Sequence, residues 1–472
     1  HRHTLDMFHA PLTVLTLTSF APSIPLNLPL PSQPRLNLKK PRLAHRYRTS
    51  RMLSLPAAPV LQRTVDSDSA KTLDSLLADR KYHIEFNGYL SNHVKHALIA
   101  LGGLQAPAEK IQQYHDFYTE CTPYGFTLDP AEEIDKSATP MKDADWELLL
   151  GAKSDYPKLL QFFTTAVDKD GIDSVLKKYA PRLLEGYPGA LTHGIIHLGW
   201  AIDAGHRDII IEGLAYFTYC HVTVHPERFK SGEVQDETPL QSMLRIADSA
   251  QQEDLGQWVK ETMEDPTYEN VHPELKVTGF QRNVAKVIAK GHPLLFDLPV
   301  WLDTFSIPEL FEALYRDVAL LYLATAGQPS PKPEDHGNFL ILHALTSLWA
   351  LEFVTRNLPD DVVRHSVKCY WSGLSALLVA ATGGAGIPTR PALAEVASAF
   401  PASAREEVQV EGQVWDEVVE RALNEEEEHN IKLVYVSREL WRRYSHWPGY
   451  FFAAQSFTST PNIGPGRSTY TV

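Results

Sequence analysis

His429 and Lys432 lie one helical turn apart inside Gln413 to Tyr444. Around them Trp415, Val418, Val419, Ala422, Leu433, Val436, Leu440 and Tyr444 repeat at the three-and-four spacing of one helix face, and both polar residues fall on that inward stripe. A lone ammonium facing a core is costly or gives up its proton, so Lys432 has to be neutral, paired with an anion or chemically converted. A neutral amine can capture carbon dioxide as a carbamate, which would make Lys432 an anionic ligand for a metal. The bland reading is a lysine that reaches toward solvent and pairs with Glu428.

Three more histidines sit on inward faces of other predicted helices. His93 leads HVKHALIALGGL, after a turn at Asn87-Gly88 and a capping candidate at Ser91. His193 shares a face with His197 and Trp200 in the segment Gly189 to Asp203, where Thr192 is the cap candidate and Gly194 and Gly199 permit close packing. His343 lies in His336 to Leu351, sixteen residues without Asp, Glu, Lys or Arg, a pattern that reads as a buried helix. Singly, each is read as a core histidine satisfied by hydrogen bonding. Four imidazoles brought together from four helices are how helical bundles build metal sites.

Other chemistries find less support. The pairs His93/His96, His193/His197 and His221/His225 have metal-binding spacing, but 20 histidines produce such pairs by chance. There is no HExxH, and Glu426-x-x-His429 lies in an acidic run of the kind that usually faces water, so a di-iron carboxylate bundle is disfavoured. The run Glu425 to Glu428 reads as a solvated acidic face. Gly383-Gly-Ala-Gly386 follows a helical pattern and reads as a turn rather than a dinucleotide loop. No flavin or haem motif, nucleophile elbow, P-loop or reactive-cysteine context is visible.

The elements that must position these residues are helices throughout, punctuated by prolines, with no convincing alternating strand. The expected fold is all-α: a single large multi-helix domain over residues 67–457 with its active site buried among helices. Residues 1–66 read as a disordered, targeting or mis-annotated extension and 458–472 as a disordered tail. Pro329 to Pro333 is the clearest linker-like punctuation.

The chain has 472 residues, 44% of them apolar, and a net charge of −14. Residues 1–52 hold eight Lys/Arg against Asp6 alone, which leaves 36 basic against 57 acidic residues in the remainder. So acidic a body disfavours nucleic acid as a partner. Three scattered cysteines suggest neither a disulfide framework nor a zinc-thiolate site. Pro11 to Pro22 is too short to span a bilayer. The expected location is cytoplasmic, with mitochondrial targeting by the basic N-terminus as the alternative, although nine prolines before residue 60 oppose a presequence helix.

Through NHVKHALIAL at Asn92 to Leu101, THGIIHLGWAID at Thr192 to Asp203, LHALTSLWAL at Leu342 to Leu351 and EEHNIKLVY at Glu427 to Tyr435, the chain resembles the questin oxidase-like family over roughly residues 75–450. The resemblance implies an all-helical oxygenase of aromatic polyketide metabolism that opens an anthraquinone-type ring with O2, by Baeyer–Villiger-like or dioxygenase-like insertion. It associates NADPH with the activity and fits a mononuclear non-haem iron. Carried over motif by motif, it selects His93, His193, His343, His429 and Lys432, and it ranks His96 and His197 as pocket residues.

The resulting expectation is Fe(II) held by those four histidines and a carboxylated Lys432. His96 or His197 would serve as acid or base, and Trp200, Trp349 or Tyr435 would hold the aromatic substrate. The rivals are a metal-free NADPH-dependent Baeyer–Villiger monooxygenase and a non-enzymatic helical scaffold.

Overall fold

A computed structural model describes residues 56, 58–134, 141–268, 279–325, 337–382, 387–404 and 411–460. The Pro329–Pro333 linker, the Gly383–Gly386 turn and most of the N-terminal extension lie outside them.

Helices dominate the described residues, as expected. Strands among the described residues are limited to four short pieces: Glu85–Phe86 with Leu90–Ser91, antiparallel across the Asn87-Gly88 turn, and Lys230–Val234 with Asp297–Pro299, parallel. Asn87 and Gly88 both take positive φ, 50° and 79°, the conformation a two-residue hairpin requires.

Four helices form the centre: Val94–Gly103, His193–Ala204, Phe339–Thr355 and Glu428–Arg443. Each packs on two others, so that together they close a ring, and His193–Ala204 also lies along Arg207–Tyr219. Every residue of His193–Ala204 is buried, and Phe339–Thr355 is buried from Leu340 onward. A helix that is apolar all round belongs in the middle of a large core rather than at its rim. The small residues act as expected: a Cβ on Gly199 would meet Ala350 Cα at 2.3 Å, so the His193 and His343 helices touch backbone to backbone there.

Several sequence expectations are corrected. The Gln413–Tyr444 pattern is two helices, Glu411–Leu423 and Glu428–Arg443, because Glu427 takes an extended conformation and caps the second. Ser91 is in a strand and bonds Tyr216 Oη at 2.6 Å, while Asn92 Oδ1 accepts from Val94 N at the helix start. Thr192 precedes its helix but does not cap it. Ala190, Leu191 and Thr192 all have positive φ, which turns the Thr192 side chain away from the helix's free N–H groups.

The folded body also begins before residue 67. Val60–Arg63 is a short helix with Val60 in the core, and Arg63 Nη2 reaches Asp203 Oδ1 at 2.9 Å. At the other end Thr458 is not a tail residue. Its N–H donates to Asn430 Oδ1 at 2.8 Å and its carbonyl accepts from Asn430 Nδ2 at 3.0 Å.

Candidate metal centre

Three of the central helices contribute one imidazole each to a single buried cluster, and His93, the N-cap residue of Val94–Gly103, contributes the fourth. Going round, the ring centroids are 4.5 Å apart for His93 and His193, 4.8 Å for His193 and His343, 4.7 Å for His343 and His429, and 4.6 Å for His429 and His93. One nitrogen from each of His93, His193 and His429 lies within 4.8 Å of the others. His343 Nε2 adds contacts of 3.3 Å to His193 Nε2 and 3.1 Å to His429 Nε2.

The outward nitrogens explain how these rings are aimed. His93 Nδ1 is 2.7 Å from Glu428 Oε1, His429 Nδ1 is 2.6 Å from Glu427 Oε1, His193 Nδ1 is 2.5 Å from the Ala190 carbonyl, and His343 Nδ1 is 2.8 Å from the Phe339 carbonyl. A carbonyl can only accept, so Nδ1 of His193 and of His343 carries the hydrogen and their Nε2 keeps its lone pair; Glu428 and Glu427, when ionised, fix His93 and His429 in the same way. Metal-bound histidines are oriented in this way by oxygen acceptors behind them. It leaves lone pairs facing one another at 3.1 and 3.3 Å, an arrangement that a cation between them would convert from repulsion to attraction. His93 Nε2, buried and without a hydrogen-bond partner, belongs to the same set. The donor set therefore fits a metal of the kind that imidazole suits.

Local backbone supports this aim. Three successive left-handed residues before His193 cost on the order of 1–3 kcal/mol each and are retained only where surrounding structure enforces them. Their effect is to bring the Ala190 carbonyl back onto His193 Nδ1. Asn338 caps the His343 helix, its Oδ1 accepting from Leu340 and Ile341 N–H, and so fixes the turn from which the Phe339 carbonyl meets His343.

Lys432 is completely buried and its Nζ has no hydrogen-bond partner, so the solvent-reaching pair with Glu428 is not what forms. Burial brings its pKa down to about 8, against the opposing pull of the Glu428 and Glu427 charges. Its charge in turn helps burial hold the imidazoles neutral. Burial first, then Lys432, brings His343 down to about 3, and burial with neighbouring Lys432 and histidines holds His93, His193 and His429 well below 6.5.

The acidic run is the largest correction at the site. Glu427 and Glu428 are 1% and 0% exposed rather than solvated, and Tyr124 Oη donates between them, at 3.0 Å to Glu427 Oε1 and 2.6 Å to Glu428 Oε1. Desolvation raises the pKa of both carboxyls. Glu426, the residue of the Glu-x-x-His pattern, is exposed. Sequence reasoning missed Tyr124, Glu427 and the Ala190 carbonyl, and only the adjacency of Glu427 and Glu428 to His429 could have pointed to any of them.

His96 and His197 stand beside the cluster as a hydrogen-bonded pair, Nε2 to Nδ1 at 2.9 Å, with His96 5.5 Å from His93 between ring centroids. Trp200 lies 6.3 Å from His96, and its indole N–H donates to the Thr346 carbonyl. Trp349 and Tyr435 occupy a different knot: both donate to Asp203 Oδ2, at 3.0 and 2.6 Å, while Arg63 donates to Tyr435 Oη at 2.9 Å. All three aromatic side chains are fully buried.

Compared with known proteins, residues 90–437 match a family described as Questin oxidase-like. Among curated proteins, a Baeyer-Villiger monooxygenase, AacuH, of Aspergillus aculeatus is 30% identical over 165 residues, 32% of this chain and 33% of that protein. Questin oxidase of Aspergillus fumigatus is 27% identical over 173 residues, 32% and 37% of the two chains. Baeyer-Villiger oxidase ptaJ of Pestalotiopsis fici is 29% identical over 157 residues, 29% and 32%. The matched stretch thus spans about a third of each curated relative's length.

Proposed function

This chain belongs to the questin oxidase-like family, and we propose that it is an oxidoreductase of aromatic polyketide metabolism, an oxygenase that opens an anthraquinone-type ring with O2. His93, His193, His343 and His429 would hold a single divalent iron, with Lys432 as its carbamate supplying the anionic ligand. The single observation that carries the metal is the set of four Nδ1 atoms committed to oxygen acceptors, which turns four Nε2 lone pairs toward one another. When bound, iron supplies dioxygen binding and Lewis-acid stabilisation of charge developing on oxygen.

The chain's own residues would do the rest. Glu427 and Glu428 hold the His429 and His93 rings by their Nδ1–H groups, with Tyr124 bridging the two carboxyls. The packed helices exclude bulk water, which strengthens each of these electrostatic contacts. Carbamate formation needs the neutral amine: the Nζ lone pair attacks the carbon of CO2, the N–C bond forms as one C=O π pair moves onto oxygen, and the nitrogen then gives up one of its own two hydrogens as a proton. His96 and His197 are the uncharged imidazoles available to exchange protons with a phenolic substrate, and Trp200 is the proposed aromatic wall nearest to them. NADPH as reductant belongs to the same proposal.

Two relatives bear Baeyer-Villiger names, which favours oxygen insertion next to a ring carbonyl over simple hydroxylation. Elemental analysis of protein purified without chelator tests the metal, with oxygen uptake on a hydroxyanthraquinone as the activity. Stoichiometric iron, or activity gained on adding ferrous iron, is expected. Uptake that needs NADPH alone, with neither iron present nor gain on adding it, would sink the iron proposal in favour of a metal-free Baeyer–Villiger monooxygenase. No uptake under any of these conditions would favour a helical scaffold.

A further inference from the structure

Behind His96 runs a second line of polar side chains that the metal site does not use. His197 Nδ1 meets His96 Nε2 at 2.9 Å, and on its far side His197 Nε2, buried and without a hydrogen-bond partner, faces Glu212 Oε2 at 3.6 Å, a charge contact longer than a hydrogen bond. Lys95 Nζ grips both Glu212 oxygens, at 2.7 and 2.6 Å. His197, Glu212 and Lys95 also line a cavity of about 50 Å3 together with Asn92, His83 and Tyr156, large enough for water.

The hydrogen positions along this line follow from its outer end. Glu212, clamped by an ammonium, is a carboxylate and can only accept. A lone pair on His197 Nε2 would be repelled by it, so that atom carries the hydrogen and His197 Nδ1 is bare. The 2.9 Å bond must then be donated by His96 Nε2–H, which leaves the lone pair of His96 on Nδ1. That atom is buried and has no hydrogen-bond partner, and an unmet acceptor in a closed interior calls for a donor.

We propose that Glu212 is a positioning residue which, through His197, fixes His96 in the tautomer whose bare Nδ1 accepts a hydrogen bond from a hydroxyl of the aromatic substrate. The site would thereby select free phenols over their methyl ethers, since an ether has no hydrogen to donate. This rests on the functional reading above, and it adds a determinant of specificity.

The test compares wild type with Glu212→Met and Lys95→Met, using a hydroxyanthraquinone and its O-methyl ether in oxygen-uptake assays. Wild type should prefer the phenol by roughly 10- to 100-fold in kcat/KM, the range of one hydrogen bond lost in a buried site. In Glu212→Met the preference should collapse to within about threefold, with metal content and folding retained, and Lys95→Met, which removes the ammonium that keeps Glu212 ionised, should weaken it in the same direction. Histidine 15N resonances, assigned by loss in His96→Gln and His197→Gln, read the tautomers without turnover: both rings should show a bare Nδ1 in wild type and a mixed population in Glu212→Met. Wild-type tautomers or undiminished preference in a folded Glu212→Met protein would overturn the proposal. A protein that turns over neither compound yet shows the tautomer change would sink the functional reading and leave the role of Glu212 standing.

Discussion

His343 Nε2 stands 3.1 Å from His429 Nε2, and each ring has already given its one hydrogen to an oxygen behind it. Two lone pairs held at that distance by separate helices resist folding unless something positive lies between them. Removing bound metal with a chelator should therefore lower stability, and restoring ferrous or zinc ion should recover it. At a hundredfold excess of free metal over Kd the gain is about 2.7 kcal/mol, several degrees in Tm. Unfolding curves unchanged by chelation and metal return would contradict a metal role for the pair.

The same neutral imidazoles set an acid limit. Their folded-state pKa values lie below the unfolded 6.5, about 3 for His343 and well below 6.5 for His93, His193 and His429. Between those values the unfolded chain binds more protons than the folded one, so stability is full above pH 6.5 and falls as the pH drops through the window. The slope approaches about 1.4 kcal/mol per pH unit for each histidine. Urea unfolding at pH 7.5, 6.5 and 5.5 checks this, and a flat or rising stability on acidification speaks against buried neutral rings.

Glu428 and Glu427 hold His93 and His429 from behind, so replacing either by Ala should weaken metal binding without removing a ligand. The expected loss is about 10- to 100-fold in affinity, read by competition with a chromophoric chelator. Retained affinity in a folded Glu428→Ala protein would mean that Glu428 does not orient His93.

Gly199 and Ala350 fix the distance between the helices that carry His193 and His343. The Cβ of Gly199→Ala would fall 2.3 Å from the Ala350 backbone, where no side-chain rotation relieves the clash. Overpacking of this kind typically costs about 1–3 kcal/mol. Metal affinity should fall with stability, because the separation shifts one pair of ligand nitrogens. Thermal unfolding and metal content measured together check it, and an unchanged Tm would show that the two helices can part freely.

How much of this was legible in the sequence follows from what each signal depends on. The helices and the inward direction of His93, His193, His343 and His429 are local consequences of apolar periodicity, and Gly199 marked a close approach. Glu427 and Glu428 were misread because a run of acids normally faces water, and what buries them is the arrival of Tyr124 and His93 from distant chain segments. The left-handed Ala190–Thr192 run has no glycine to betray it. Arg63, read as part of a disordered extension, is bound by Asp203 and Tyr435, partners 140 and 372 residues away, which no local pattern encodes.

Lys432 gives the sharpest prediction. Its Nζ is buried without a hydrogen-bond partner, and its pKa of about 8 leaves about a tenth of the amine neutral at pH 7 and about half at pH 8. Carbamate formation consumes the neutral amine, so enzyme stripped of CO2 should regain activity several-fold faster at pH 8 than at pH 7 when both are returned to the same concentration of dissolved CO2. Protein loaded with zinc and equilibrated with 13C-bicarbonate should show a carbamate carbon that is absent from Lys432→Met. That variant should also lose metal affinity, while keeping its fold because a buried methionine fills most of the lysine's volume. If no such resonance appears and Lys432→Met still holds metal at wild-type affinity, Lys432 is not a ligand. Its role is then electrostatic, a cation set against Glu427 and Glu428, and the metal would rest on the four histidines alone.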